Sequence, residues 1–362
     1  MEDILYWSFV HSLWGIGRNK DITRLLVEIK GAEFWKLNSK EITSRFPFIS
    51  QEMADELTAK KQDFHIDDEY YKINKHNVKI ISILSQEYPK TLRQIASPPP
   101  LLYVRGSLLK DPLSIAVVGA RKATFYGRKC AEQLSFQLGK NGVQIISGLA
   151  RGIDSSGHQG AIKAKASTIA VLGSGVDVIY PRENVRLYNE IIASGEGAVI
   201  SEFPMGTSPL KINFPIRNRL ISGLSDGIII IEAGEKSGSL ITAEFGLEQG
   251  KDIFVVPGPI DNPLYKGSHK LIKEGAKLID SIEDILEEYG QMSLLKEFAD
   301  TKVNLSPEET AILNLLSSRP ISPEEILKNS SFTTQKILSI LGLLEIKGLI
   351  KRVAGRKFIS IS

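Results

Sequence analysis

The apolar positions of the chain follow two different rhythms. From about residue 5 to residue 71, apolar residues recur three or four positions apart, which predicts a set of short helices. From residue 114 onwards, short uninterrupted apolar runs alternate with helical stretches, and such runs are typical of strands buried on both faces of a parallel sheet. The predicted strands are 115–118, 143–146, 168–172, 198–201, 227–231 and 253–256.

This alternation predicts an α/β fold with a Rossmann-like, doubly wound, mostly parallel sheet. We expect a helical module over 1–75 and the Rossmann-like domain over 76–289, with Ser97 and the three prolines after it marking a boundary or a stiff approach. The Gly15 region between two early helices resembles the hairpin of helix-hairpin-helix and SAM-like modules. A tight interhelical turn is the alternative interpretation.

The last segment, 304–362, predicts a winged helix. Ser306 and Ser322 are each followed by proline and two glutamates, which is typical of a helix start. A third helix is predicted over 333–347, and 349–362 alternates like a small hairpin. The cations of this wing are Lys351, Arg352, Arg356 and Lys357.

Composition narrows the class of protein without naming a ligand. The chain has 362 residues, of which 42% are apolar and 24% charged, as in ordinary folded proteins, and its net charge of +3 favours no partner. The single cysteine, Cys130, excludes an intrachain disulfide and a multi-cysteine zinc site, which favours a reduced compartment. No apolar run approaches the roughly 20 residues that span a bilayer. We therefore expect a cytoplasmic protein with no membrane partner.

Glycines gather where the predicted strands end, as at Gly119 and Gly148. Ligands of such sheets bind beyond the carboxyl ends of the strands, where helix amino termini attract anions. Arg121 could offer a two-pronged donor to phosphate there, although a surface arginine on a turn is the alternative. Gly238 and Ser239, just before a predicted helix, could hold a phosphate on free amides.

One basic segment, 203–225, contains Lys211, Arg217 and Arg219 and not one acidic residue. Phe214 lies between these cations and precedes a proline. Single-stranded nucleic acid is bound by this combination, since cations hold its backbone and a ring stacks on a base. A solvated helix face and a core phenylalanine are the alternatives.

Other chemistry finds little support in the sequence. There is no P-loop and no Gly-x-Gly-x-x-Gly after the first strand, so we expect no nucleotide or dinucleotide cofactor. No second histidine stands at ligand or acid–base spacing from His158, which is interpreted as a packing residue. Asp154 is expected to cap the helix that follows it. We predict no catalytic residue and no metal site.

Six motifs together resemble the DNA-processing protein A (DprA/Smf) family in order and spacing. The resemblance extends from about residue 83 to residue 276. The motifs are 119–121, 147–154, 180–181, 214–223, 237–242 and 256–258.

The resemblance implies a protein without enzymatic activity that binds single-stranded DNA, forms a homodimer through its Rossmann-like domain and loads the recombinase RecA during natural transformation and DNA processing. The corresponding loop of the family usually has the sequence Gly-Ser-Arg. This chain has Ala120 in place of the serine, so it keeps the arginine and lacks the serine hydroxyl. Arg217 and Arg219 could also partly stabilise the fold. By motif match, the DNA-binding residues would be Arg121, Ser147, Gly148, Lys211, Phe214, Arg217, Asn218, Arg219, Gly238 and Ser239.

Two other functions are compatible with the residues. The loop 234–244 faintly resembles that of lysine-decarboxylase-like nucleoside monophosphate phosphoribohydrolases, with Glu244 five residues after Ser239. Alternatively, the winged helix could read duplex DNA, with residues 333–336 opening its recognition helix. Release of free base from a nucleotide would indicate the first function, and a footprint at one duplex sequence the second.

Overall fold

A computed structural model describes residues 2–109, 112–290, 306–316, 321–330, 332–346, 350–353 and 357–360. The chain forms two compact units, Met1–Gln291 and Met292–Ser362, and each is described by itself. Within the described residues, no helix is both long enough and apolar enough to cross a membrane.

The first unit begins with the predicted helical module. Its core buries aromatic and aliphatic side chains such as Trp7, Phe34 and Leu57. Gly15 has a φ of +70°, a conformation that favours glycine, and its N–H donates to the carbonyl of His11 at 2.9 Å. The first two helices are therefore joined by a tight turn. The helices are α1 Glu2–Trp14, α2 Asn19–Glu28, α3 Gly31–Lys36, α4 Ser39–Arg45, α5 Gln51–Lys60 and α6 Ile66–Lys75.

Nine strands of the described first unit form one mixed sheet, in the order β1-β2-β6-β5-β4-β3-β7-β8-β9. Strands β3 to β9 run parallel to their neighbours among themselves, and β1 and β2 add an antiparallel edge. Each of the six predicted strands is confirmed to within one residue at both ends. The strands are β1 Lys79–Ser82, β2 Leu101–Gly106, β3 Ser114–Val118, β4 Gln144–Ser147, β5 Thr168–Val171, β6 Ala198–Ser201, β7 Gly227–Ile230, β8 Asp252–Val255 and β9 Lys277–Leu278.

Helices cover both faces of this sheet, as the Rossmann-like prediction requires. The chain order reverses between β3 and β7, which pair in parallel although three strands separate them in sequence. Such a switch point is where ligands of doubly wound sheets bind. The remaining helices of the unit are α7 Lys90–Arg93, α8 Phe125–Lys140, α9 Ile153–Ala164, α10 Val185–Ala193, α11 Asn213–Gly223, α12 Gly238–Glu248, α13 Lys266–Lys273 and α14 Glu283–Leu286.

The helical module packs on the antiparallel edge of the sheet. The Ser8 hydroxyl lies 2.8 Å from the Tyr103 hydroxyl on β2, and Leu101 is buried in the module's core. A hydrogen bond fixes the proline run before β2, since the Tyr88 hydroxyl donates to the carbonyl of Pro99 at 2.8 Å. The module and the sheet thus share a buried interface.

The second unit is a winged helix. Ser306 caps its first helix in a capping box with Glu309, and the two strands of the wing pair antiparallel. Of the predicted wing cations, Lys351 and Arg352 lie on the first strand, Lys357 opens the second, and Arg356 lies outside the described residues. The elements are α15 Pro307–Leu315, α16 Pro323–Lys328, α17 Thr334–Ile346, β10 Ile350–Val353 and β11 Lys357–Ser360.

Candidate functional site

A cation and an aromatic ring meet at the switch-point edge of the sheet. Arg121 lies on the turn after β3 and is exposed, and Phe214 lies in the first turn of α11 and is half-buried. The Arg121 guanidinium carbon is 5.1 Å from the centroid of the Phe214 ring. This distance is within the range of cation–π attraction. The contact holds a planar donor beside a ring that still reaches the surface.

A second arginine, Arg217, lies beneath this contact. It is buried, donates to the carbonyls of Gly148 at 2.8 Å and of Val171, and lies 6.0 Å from the Phe214 ring centroid. Burial lowers the pKa of Arg217 to about 10, although the charge of Asp154 opposes the shift. Arg217 is therefore protonated at neutral pH, and it is held by these carbonyls with the buried Asp154 nearby.

Gly148 and Asp154 shape the pocket around Arg217. The N–H of Gly148 donates to Asp154 at 3.1 Å, and a Cβ on Gly148 would lie 2.6 Å from Nη2 of Arg217. Any larger residue there would force the Arg217 and Asp154 side chains to shift. The expectation that Asp154 caps α9 is wrong, because the N-cap is Gly152 and Asp154 turns back from the first helical turn to the Gly148 loop. Burial raises the pKa of Asp154, against the opposing charge of Arg217.

The amino terminus of α12 joins the site through Asn218. Its side-chain amide donates to the carbonyl of Gly238 at 3.1 Å. Gly238 is exposed, and a Cβ there would meet no atom within 4 Å, so this backbone faces open space. Ser239 is buried, with its hydroxyl 2.7 Å from that of Ser237, the N-cap. Lys211 is exposed on the turn before α11.

Ser147 does not join the cluster. It is fully buried on β4, where its hydroxyl donates to the carbonyl of Val117 at 2.7 Å. The hydroxyl therefore has a partner in the sheet and does not reach the surface beside Arg121.

Arg219 does not join the cluster either. It forms a buried ion pair with Glu202 and donates to the carbonyl of Ser97 at 2.6 Å. Burial raises the pKa of Glu202 to about 7, against the opposing charge of Arg219. His11 and Asn19 of the helical module are buried on this side of α11, and burial lowers the pKa of His11 to about 4. Arg219 thus faces the helical module.

The residues of alternative chemistry lie in other settings. His158 is buried with Nδ1 2.7 Å from the Thr168 hydroxyl, and burial lowers its pKa to about 3, which agrees with the predicted packing role. Glu244 is exposed on α12. Among the residues that the structure describes, no group of three or more histidine, cysteine or acidic side chains could hold a metal ion.

The sequence analysis missed two residues of this region, one that contributes to the site and one that pairs with Arg219. Tyr180 lies in the loop after β5, 40% exposed, with its ring centroid 5.6 Å from that of Phe214. Tyr180 belongs to one of the motifs given above. An aromatic residue in a loop at the ligand-binding edge of the sheet could have indicated its role. Glu202 directly follows β6. An acid at the end of a fully buried strand needs a partner, and that need pointed to an arginine.

These features define a Rossmann-like α/β protein that presents cations and partly exposed rings at its switch point and carries a winged helix. Residues 79–290 match the family model of the DNA recombination-mediator protein A, and residues 296–356 match that of the DprA winged helix domain. The chain belongs to the DNA-processing protein A family. A relative in Bacillus subtilis, DNA processing protein DprA, is 40% identical over 277 residues, which cover 74% of this chain and 92% of the relative.

Solved structures agree with this assignment. DNA processing protein A from Streptococcus pneumoniae has a TM-score of 0.67 and 36% identity, and the match covers 78% of this chain and 97% of that one. The protein from Helicobacter pylori, whose structure was described for its single-stranded DNA binding mode, has a TM-score of 0.53 and 31% identity, with coverage of 61% and 96%. The family and the fold of this DNA-processing protein are therefore established.

Proposed function

We propose that this protein binds single-stranded DNA at the switch-point edge, in the cytoplasm and without catalytic turnover, and presents it to the recombinase RecA. The observation that carries the proposal is the contact of Arg121 with the half-buried ring of Phe214. A phosphate needs an accessible cation, and an unpaired base needs a ring with a free face. The binding of single-stranded DNA by the Helicobacter pylori relative supports the same conclusion.

The remaining site residues have graded roles in this proposal. Arg121, Lys211 and the amino terminus of α12 at Gly238 hold phosphates, and Phe214 stacks on a base. Ser239 shapes this terminus instead, because it is buried and its N–H and hydroxyl both contact the Ser237 hydroxyl. Gly148, Arg217 and Asn218 shape the pocket, since each is bound to a neighbouring loop or helix. Ser147 and Arg219 contribute through the fold, because their polar groups have buried protein partners.

RecA loading and a homodimer through the Rossmann-like domain rest on the family. The dimer is checked by light scattering at micromolar concentration, with and without DNA, and a monomeric mass in both samples would contradict it. Loading is checked by following RecA filament formation on single strands, where this protein should accelerate assembly and the Phe214→Ala variant should not.

The winged helix is proposed to be secondary for single-strand binding. Its helix α17 has Lys336 near its start, which forms a surface ion pair with Glu308 at 2.8 Å. Such a pair is weak, at about 0–1 kcal/mol, so Lys336 could still release to add a phosphate contact. A duplex-reading role would instead require protection of one sequence in a footprint.

The test of the proposed function is a competition and product assay. Labelled single-stranded DNA is bound to the full chain and challenged with equal lengths of unlabelled single strand or duplex, and nucleotides are analysed for released base. We expect saturation at a fixed ratio, displacement by the single strand at lower concentration, and intact DNA. Released base would indicate the phosphoribohydrolase activity instead.

A further inference from the structure

Tyr180 forms a second aromatic surface directly beside Phe214. The two rings come from different elements, the loop after β5 and the helix α11, and their centroids lie 5.6 Å apart at an angle of 44° between the planes. Tyr180 is 40% exposed, whereas the largest aromatic side chains of the sheet core, such as Tyr103 and Tyr188, are fully buried. A large ring that stays at the surface beside another ring offers a face to a ligand.

The geometry decides how many bases the two rings can take. A base held between two rings needs them parallel and about 7 Å apart, twice the van der Waals contact distance of about 3.5 Å. Tyr180 and Phe214 are closer than this and are tilted. One base cannot enter between them, and the rings form two neighbouring facets.

The charges around Tyr180 match a nucleic-acid backbone. Arg182, two residues later, is exposed, and so is Lys211 before α11. The nearby acids have partners within the protein, because Glu183 pairs with Arg151 and Asp177 accepts the N–H of Gly206 at 2.9 Å. We expect a strand that leaves Phe214 across Tyr180 to pass these cations.

We infer that Tyr180 is a second base-stacking residue and that the site takes two consecutive bases of one single strand, one on Phe214 and the next on Tyr180. This inference rests on the proposed function. Base–aromatic stacking of about 1–3 kcal/mol corresponds to a change in affinity of about 5-fold to 150-fold. The Tyr180 hydroxyl is not needed for it.

The test measures the affinity of the full chain for an oligothymidylate by fluorescence anisotropy over a salt series. Tyr180→Ala should weaken binding by about 5-fold or more with an unchanged salt slope, Tyr180→Phe should bind normally, and Tyr180→Leu should bind as weakly as Tyr180→Ala. The matched control is Tyr71→Ala, an exposed tyrosine of the helical module, which should bind normally. Melting temperatures of all variants show that each is folded.

The alternative is that Tyr180 only supports the ring of Phe214 and does not stack on a base. Two results would overturn the inference and support this alternative. In one, Tyr180→Leu binds like the parent, because apolar bulk suffices to support a ring. In the other, Tyr180→Ala adds nothing to the loss caused by Phe214→Ala, whereas two stacked bases predict that the double variant binds more weakly than either single variant. If Phe214→Ala weakens binding and Tyr180→Ala does not, this inference fails and the proposed function stands. If the parent does not prefer single strands to duplex, the proposed function itself fails.

Discussion

Arg217 and Arg219 lie two residues apart on α11 and serve opposite sides of the helix. Arg217 donates to carbonyls at the switch-point edge beside Phe214, and Arg219 pairs with the buried carboxylate of Glu202 beside the helical module. A helix turns by about 100° per residue, so positions two apart point about 200° apart. One face holds the buried Arg217 beneath the Phe214 ring with Asp154 nearby, and the other face pairs Arg219 with Glu202 inside the fold. Similar residues in one motif can therefore have different roles.

The largest expected effect comes from removing the cation of the buried pair between Arg219 and Glu202. Arg219→Met leaves Glu202 buried without its cation, and we expect the free energy of unfolding to fall by about 3–5 kcal/mol. Denaturant unfolding measures this loss. The control Arg18→Met removes a surface pair with Asp21 and should cost less than about 1 kcal/mol.

The affinity of the Arg219→Met protein for single strands, corrected for its folded fraction, should stay close to that of the parent. Adding Glu202→Leu should recover much of the stability, because an apolar pair avoids the unpaired charge. A stable Arg219→Met protein that no longer binds DNA would reverse the roles assigned to the two arginines.

One buried group on each side of α11, His158 and Glu202, should respond to pH in opposite directions. His158, on the Arg217 side, has a folded pKa of about 3, below its usual value of 6.5, so the unfolded chain takes up the proton first as pH falls. Its contribution to stability is complete above pH 6.5, and about 3 kcal/mol of it is lost between pH 6.5 and pH 4. His158→Met should remove this loss, which unfolding at several pH values measures.

The pH dependence that Glu202 contributes to stability has the opposite sign, since its folded pKa is raised to about 7. The folded state holds this proton more tightly than the unfolded state, so the contribution of Glu202 to stability is largest at low pH and declines as pH rises towards 7. Glu202→Gln should flatten that decline. Parallel pH slopes in both variants would contradict the opposite shifts assigned to His158 and Glu202.

The next effect concerns Phe214. Phe214→Ala should weaken single-strand binding by about 1–3 kcal/mol and leave the salt slope nearly unchanged, because stacking displaces few ions. Because the ring is half-buried, we expect little change in melting temperature. A melting temperature far below the parent's, as when a core residue loses about 3–5 kcal/mol, would assign the ring to the core.

The smallest effect concerns Lys211. Lys211→Ala removes one exposed cation, so the slope of log affinity against log salt should flatten by about 0.7, the contribution of one phosphate on a single strand. The control Lys40→Ala changes another exposed lysine, on α4, and should leave the slope unchanged. Equal slopes in the parent and Lys211→Ala would remove Lys211 from the phosphate path.

The sequence predicted most of the architecture for identifiable reasons. The six parallel strands are buried on both faces, so their apolar runs are unbroken and visible. The antiparallel edge was missed, because β1 is only partly buried and β2 begins directly after a proline run. Strand β9 is two exposed residues whose strand character comes from pairing with β8.

The candidate site was predictable in part. Arg121, Phe214 and Arg217 come together as the motifs suggested, because the ends of parallel strands meet at one edge. Arg219 was grouped with them because it belongs to the same motif as Phe214 and Arg217. The angle that separates Arg217 from Arg219 applies only if the segment is a helix. The partner of Arg219 comes from a distant strand end, which local pattern does not reveal.

The central claim is that the switch-point edge binds an unpaired strand through cations and rings together. It is tested most directly by measuring the affinity of the full chain for a single strand and for a duplex of equal length, across a salt series, with the parent and with Arg121→Ala. We predict tighter binding of the single strand at every salt concentration, a log–log slope of about −0.7 per neutralised phosphate, and a flatter slope with weaker binding in Arg121→Ala. Equal affinity for both forms of DNA at every salt concentration, or an Arg121→Ala protein that binds like the parent, would contradict the account.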